Sequence, residues 1–138
     1  QLKEAEIIIR KAITVNSNVF DLHYLLASIL IEQERYKDSE EPLLKAIELN
    51  PNSYQAHLYL GLAYKSLDKN YEAERAARKA IELNSNSVEA LILLSILLRR
   101  RGEIHQAYIS NEKILTIRPW SLLGCYGLNH MFERRFSS

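Results

Sequence analysis

Four segments of this chain recur at one fixed spacing. Residues 12–18 (AITVNSN), 46–52 (AIELNPN), 80–86 (AIELNSN) and 114–120 (ILTIRPW) each begin 34 residues after the last, with no insertion between them. Small residues keep the same register, with Ala27, Gly61 and Ser95 forming one ladder and Ala5, Ser39, Ala73 and Ala107 another. A chain built this way repeats one supersecondary unit that cannot bury its apolar face alone, so neighbouring units must stack.

Each period holds two helical patterns. The first covers 20–32, 54–67 and 88–101, with apolar residues at i, i+3, i+4 and i+7. The second covers 37–49, 71–83 and 104–117. Asn50-Pro51-Asn52, Asn84-Ser85-Asn86 and Arg118-Pro119 stop the second helices, while Asp68-Lys69-Asn70 and Gly102 stop the first. Ser53 and Ser87 are placed to cap the helices that follow them. Pro42 lacks the N–H a helix interior needs, so its helix either starts later, with Ser39 as cap, or bends there.

A length of 138 residues suits one domain, and 18 Lys+Arg against 17 Asp+Glu excludes a disordered charged tail. With a single cysteine, Cys125, neither an internal disulfide nor a multi-cysteine zinc site can form. No apolar run approaches the roughly 18 residues of a membrane span; the stretch 90–98 is interrupted by Ser95 and followed by Arg99, Arg100 and Arg101. The chain opens at Gln1 without a signal-peptide pattern and is expected to be a piece of a longer protein. Its address is not written in these residues, and a cytoplasmic one is favoured by default.

A helix–turn–helix unit of 34 residues with these small-residue ladders resembles the tetratricopeptide repeat (TPR) family. The resemblance implies an all-α, right-handed α-solenoid of antiparallel helix pairs. It divides the chain into a lone second helix (1–19), repeats at 20–53, 54–87 and 88–121, and a terminal first-type helix (122–138). Gly61 and Ala27 would let the helices of a unit approach closely, and Ala46 and Ala80 would sit against the next unit. Two departures stand in the last repeat, where Asn111 replaces a small or apolar residue and Ile114 replaces Ala. His23, His57, Leu91 and Cys125 occupy the slot where the family often carries Trp.

In such a solenoid the first helices line the concave side. The register then assigns a partner groove to Tyr24, Leu25 and Ser28 of the first repeat. The second repeat adds Gln55, Leu58, Tyr59, Leu62 and Lys65, and the third adds Glu89, Ile92, Leu93, Ile96, Arg99 and Arg100. Tyr126 completes the set from the last helix. Its centre is apolar and aromatic and one rim is cationic, which points to a protein or peptide partner with apolar anchors and acidic flanks. The expected function is a non-catalytic protein–protein interaction scaffold. Two alternatives are an accessory region of a larger glycosyl-, sulfo- or methyltransferase and a small secretion chaperone. The carboxylate clamp known in the family is not expected, because Tyr24, Ser28, Tyr59, Glu89 and Leu93 cannot grip a carboxylate. The family's asparagine ladder is also missing, with Leu25, Tyr59 and Leu93 in its place.

Sharper chemistry finds little support in the residues. His23 and His57 lie one period apart, but a metal site needs three or four convergent ligands. Cys125 has His130 nearby without an orienting acid. Residues 90–138 carry seven Lys+Arg against three Asp+Glu, and the first 60 carry six against nine, a mild charge dipole. That is too sparse a basic stripe for nucleic acid. No cofactor motif is present. The ends of the array lack a polar outer face, so self-association through them is expected.

Overall fold

The computed structural model describes residues 1–118. The terminal helix expected at 122–138, the end of the third repeat, and with them Cys125, Tyr126, His130 and Arg134, lie outside the described residues. The described residues form seven α-helices and no strand: α1 (Leu2–Val15), α2 (Phe20–Glu32), α3 (Tyr36–Leu49), α4 (Tyr54–Ser66), α5 (Asn70–Leu83), α6 (Val88–Arg100) and α7 (Ile104–Ile117). None is long and apolar enough to cross a membrane. Every end lies within one residue of the position predicted from periodicity.

Local chemistry repeats with the same period as the sequence. The side chains of Ser53 and Ser87 accept from the backbone N–H of Ala56 and Ala90, each at 3.3 Å, and so cap α4 and α6. After each trailing helix, Asn16, Asn50 and Asn84 accept from the N–H two residues on, at 3.0, 3.2 and 3.1 Å, folding the turn to the next unit. Between the helices of a unit, Glu34, Asp68 and Gly102 all take positive φ, at 58°, 58° and 85°. The following N–H groups of Arg35, Lys69 and Glu103 reach back to the carbonyls of Leu30, Tyr64 and Leu98 at 2.8, 2.9 and 2.8 Å. This is a Schellman ending, a conformation that suits glycine, and only Gly102 meets it without a Cβ.

Pro42 lies inside α3, which starts at Tyr36, so the alternative in which Ser39 caps a shorter helix does not hold. Ser39 is fully buried in the first turns and its hydroxyl donates to the Tyr36 carbonyl at 2.7 Å.

Helices pack first on their sequence neighbours, as antiparallel pairs α2/α3, α4/α5 and α6/α7, and then pair on pair through α3/α4 and α5/α6. Leading helices also touch across units, α2 on α4 and α4 on α6, whereas no contact of that extent joins α1 to α3, α3 to α5 or α5 to α7. The stack therefore closes on its leading-helix side and opens on the other, the curvature of an α-solenoid.

Gly61 sits where three helices meet. A Cβ there would stand 2.8 Å from Leu93 Cδ2 on α6 and 3.4 Å from the Ala73 carbonyl oxygen on α5. α5 meets its neighbours through Ala73, Ala76, Ala77 and Ala80, all buried. In the third pair the two sequence departures have a physical partner. Ser95, standing where Gly61 and Ala27 stand, donates to Asn111 Oδ1 at 2.9 Å, and Ile114 is fully buried. The polar atoms thus satisfy each other, as burial requires.

Charged residues fasten unit to unit at the same spacing. Glu6 pairs with Arg35 at 2.6 Å, Glu40 with Lys69 at 3.7 Å and Glu74 with Arg101 at 3.2 Å. Each link runs from a trailing helix to the turn of the next unit. Arg10 and then Arg35 hold the Glu6 carboxyl below its ordinary pKa.

Two predictions follow from these contacts. Glu34→Gly and Asp68→Gly remove the αL strain and should each stabilise the chain by about 0.5–1 kcal/mol, raising Tm by about 2–4 °C in thermal melts. Ser95→Ala and Asn111→Ala should each cost about 1 kcal/mol. The double variant should cost less than their sum, because neither partner is then left alone. Strict additivity in urea melts would show that the pair does not interact.

Candidate functional site

The inner side belongs to α2, α4 and α6. Phe20 stacks on Tyr24 with ring centroids 5.7 Å apart, and Tyr24 meets Tyr59 of the next leading helix at 5.4 Å with a 41° tilt. This aromatic row crosses the seam between the first two units. Burial, with the Tyr59 and Tyr54 phenols nearby, pushes the Tyr24 hydroxyl up to about 12. Tyr64 is also raised, by burial and by the Glu40 carboxylate that accepts its O–H at 3.1 Å.

Beside this row Leu25 is 46% exposed, and Leu62, Ile92 and Ile96 are half-buried. Gln55 and Glu89 are exposed at the beginnings of their helices, and Arg99 is exposed at the end of α6. Lys65, half-buried, ends α4, and Ser28 turns its hydroxyl back to the Leu25 carbonyl at 3.0 Å. Of the residues assigned to the groove, Leu58 (9% exposed) and Leu93 (1%) are buried in the core cluster with Ala73, Ala77 and Leu97. The missing side chain of Gly61 lets Leu93 sink against α4 and out of the groove. Arg100 is tied into the fold, donating to the Lys65 carbonyl at 3.4 Å and Asn70 Oδ1 at 3.1 Å.

His23 and His57 serve the turns. Their Nε2 atoms lie 2.8 Å from the Ser17 carbonyl oxygen and 3.0 Å from that of Pro51. A carbonyl only accepts, so each Nε2 carries the proton and donates. Among the described residues no group of three His, Cys, Asp or Glu side chains could hold a metal ion.

The outer side holds hollows that the sequence analysis missed. One of about 990 Å³ lies between α1 and α3 over His23 and Leu26, and one of about 660 Å³ lies between α3 and α5 over His57 and Leu60. Leu44, 47% exposed, borders both. Their linings match at a spacing of 34 residues, a signal present in the sequence but visible only once the trailing helices are known to stand apart.

Two models described as tetratricopeptide repeat match the chain, over residues 20–53 and 43–75. No curated protein matches it. Among solved structures, a crystal structure of MamA superposes with a TM-score of 0.89 at 23% identity, covering 97% of this chain and 78% of that one. MamA from Desulfovibrio magneticus RS-1 gives 0.81 at 20% identity, covering 86% and 67%. YrrB, a TPR protein with an unusual peptide-binding site, gives 0.84 at 23% identity, covering 93% and 66%. At these identities the likeness is one of fold.

The aromatic row generates a prediction about alkaline pH. Because the folded pKa of Tyr24 lies above its unfolded value, its contribution to stability is present below about pH 10 and lost as pH rises towards 12. Spectrophotometric titration of Tyr24→Phe should lack the latest-ionising phenol, and its stability should fall less over that range.

Proposed function

The chain belongs to the tetratricopeptide repeat family, and from that premise we propose that it is a non-catalytic protein–protein interaction scaffold. In this reading the units are 20–53, 54–87 and 88–121, and the face of the leading helices holds an apolar peptide or helix of a partner. One observation carries it: Tyr24, Leu25, Tyr59, Leu62, Ile92 and Ile96, all on leading helices, stay half-buried or exposed, and Tyr24 meets Tyr59 across the seam between units. Apolar side chains left open along one face of a stack mark interfaces. Leu58 and Leu93 lie beneath that surface as its support.

YrrB supports the reading by analogy of fold, since its peptide-binding site is carried on the same architecture. The partner is a protein or peptide presenting apolar anchors. Self-association through the ends belongs to the same proposal. α1 has no buried residue, and Ile7 and Ile8 are 54% and 66% exposed on it.

The test uses a displayed random-peptide library selected against the intact chain. Leu25→Asp and Ile96→Asp lie at the surface and should leave the helical circular dichroism unchanged. They should weaken the selected peptides at least tenfold, on the order of 1.4 kcal/mol or more. Peptides indifferent to both but lost with Leu44→Asp would move the binding site to the outer hollows and overturn the assignment.

A further inference from the structure

The inner face separates its charges. Asp21 and Glu89 stand exposed in the first turns of α2 and α6, while Lys65 and Arg99 stand in the last turns of α4 and α6. None of these four forms an ion pair with a described residue. On the trailing side, by contrast, Glu6, Glu40 and Glu74 are each engaged by a cation.

Helix dipoles account for only half of this pattern. Acidic residues open trailing helices as well, at Glu4, Asp38 and Glu72, as the positive N-terminal end favours. Among the described helices, however, basic residues in a last turn occur only on α4 and α6. Of the three cations there, Arg100 is already used in joining α6 to α4 and α5. Lys65 and Arg99 remain as a cationic edge without an internal task. Glu32 interrupts that edge at the first unit, which centres it over α4 and α6.

Between the two edges lie Leu62, Ile92 and Ile96, all half-buried. α4 and α6 are 13 residues each, so the floor they form is about 20 Å long at 1.5 Å per residue, with Glu89 and Arg99 about 15 Å apart within it. An extended segment of that span has about six residues and turns only alternate side chains to the floor. A helix of the same length makes between three and four turns and presents one continuous apolar stripe into the groove between two neighbouring helices.

We propose that the seat over α4 and α6 takes an amphipathic partner helix of three to four turns, apolar on its buried face, acidic at the end beside Lys65 and Arg99 and basic at the other. This rests on the groove reading above and adds to it the conformation and charge order of the occupant. Charge order of this kind fixes orientation and excludes wrong partners more than it adds affinity.

The experiment uses labelled 13-residue peptides with leucines at i, i+4, i+7 and i+11, titrated by fluorescence anisotropy against the whole chain. One peptide is acidic at one end and basic at the other, a second is basic at both ends, and a third carries a central proline in the first sequence. The first should bind at least tenfold more tightly than the second, and the third should lose binding at least tenfold. The double variant Lys65→Glu, Arg99→Glu should reverse the preference towards the doubly basic peptide. Equal binding of the first two peptides, lost with Ile96→Asp, would overturn the charge order while leaving the groove in place. Equal binding with and without proline would overturn the helical occupant. Binding untouched by Ile96→Asp would mean that the groove reading itself has failed.

Discussion

Close approach between helices, at positions with little or no side chain, is the constraint on which the rest of this structure depends. A Cβ on Gly61 would meet Leu93 Cδ2 at 2.8 Å and make that side chain shift, and the buried residues of α5 are all alanines. Interiors are packed to crystal-like density, so a methyl group at such a point forces a shift rather than filling a void. The two helices of a unit and the next leading helix therefore share one register, and the 34-residue period in the sequence becomes a period in space. Where the third pair departs, with Ser95 opposite Asn111, the departure is mutual, and one hydrogen bond replaces the apolar contact.

Packing sets the spacing, and polar groups set the turns. The Asn16, Asn50 and Asn84 side chains fold the loops between units, while His23 and His57 hold those loops to the leading helices from within. Tight turns inside each unit put Glu34 and Asp68 in a conformation better suited to glycine, a local cost carried by the surrounding stack. The Glu6, Glu40 and Glu74 links join partly buried carboxylates to exposed cations, and they recur at every joint described.

The two sides of the stack consequently differ. Leading helices touch one another and form a continuous floor; trailing helices stand apart and leave hollows between them. The floor carries the aromatic row from Phe20 through Tyr24 to Tyr59, and its Asp21, Lys65, Glu89 and Arg99 form no ion pair with a described residue. On the open side the principal charges are occupied in holding units together. A partner with apolar anchors meets fewer prior commitments on the floor.

Helix ends and family were legible in the sequence because hydrophobic spacing, Ser and Asn caps and small-residue ladders are local signals that recur with the 34-residue period. The site was legible in part. Tyr24, Tyr59, Leu62, Ile92 and Ile96 follow from register, but Leu58 and Leu93 occupy inward positions and are nonetheless buried. Their depth depends on the size of a residue on another helix, Gly61 in the case of Leu93. The same holds for Arg100, whose partners on α4 and α5 lie 35 and 30 residues away. The period, the helices and the face each residue is offered to could be read from the residues alone, since these depend on neighbours within one or two turns. Only the tertiary structure decided which offered side chains stay open and which charges stay unpaired, because those outcomes depend on how closely distant helices approach.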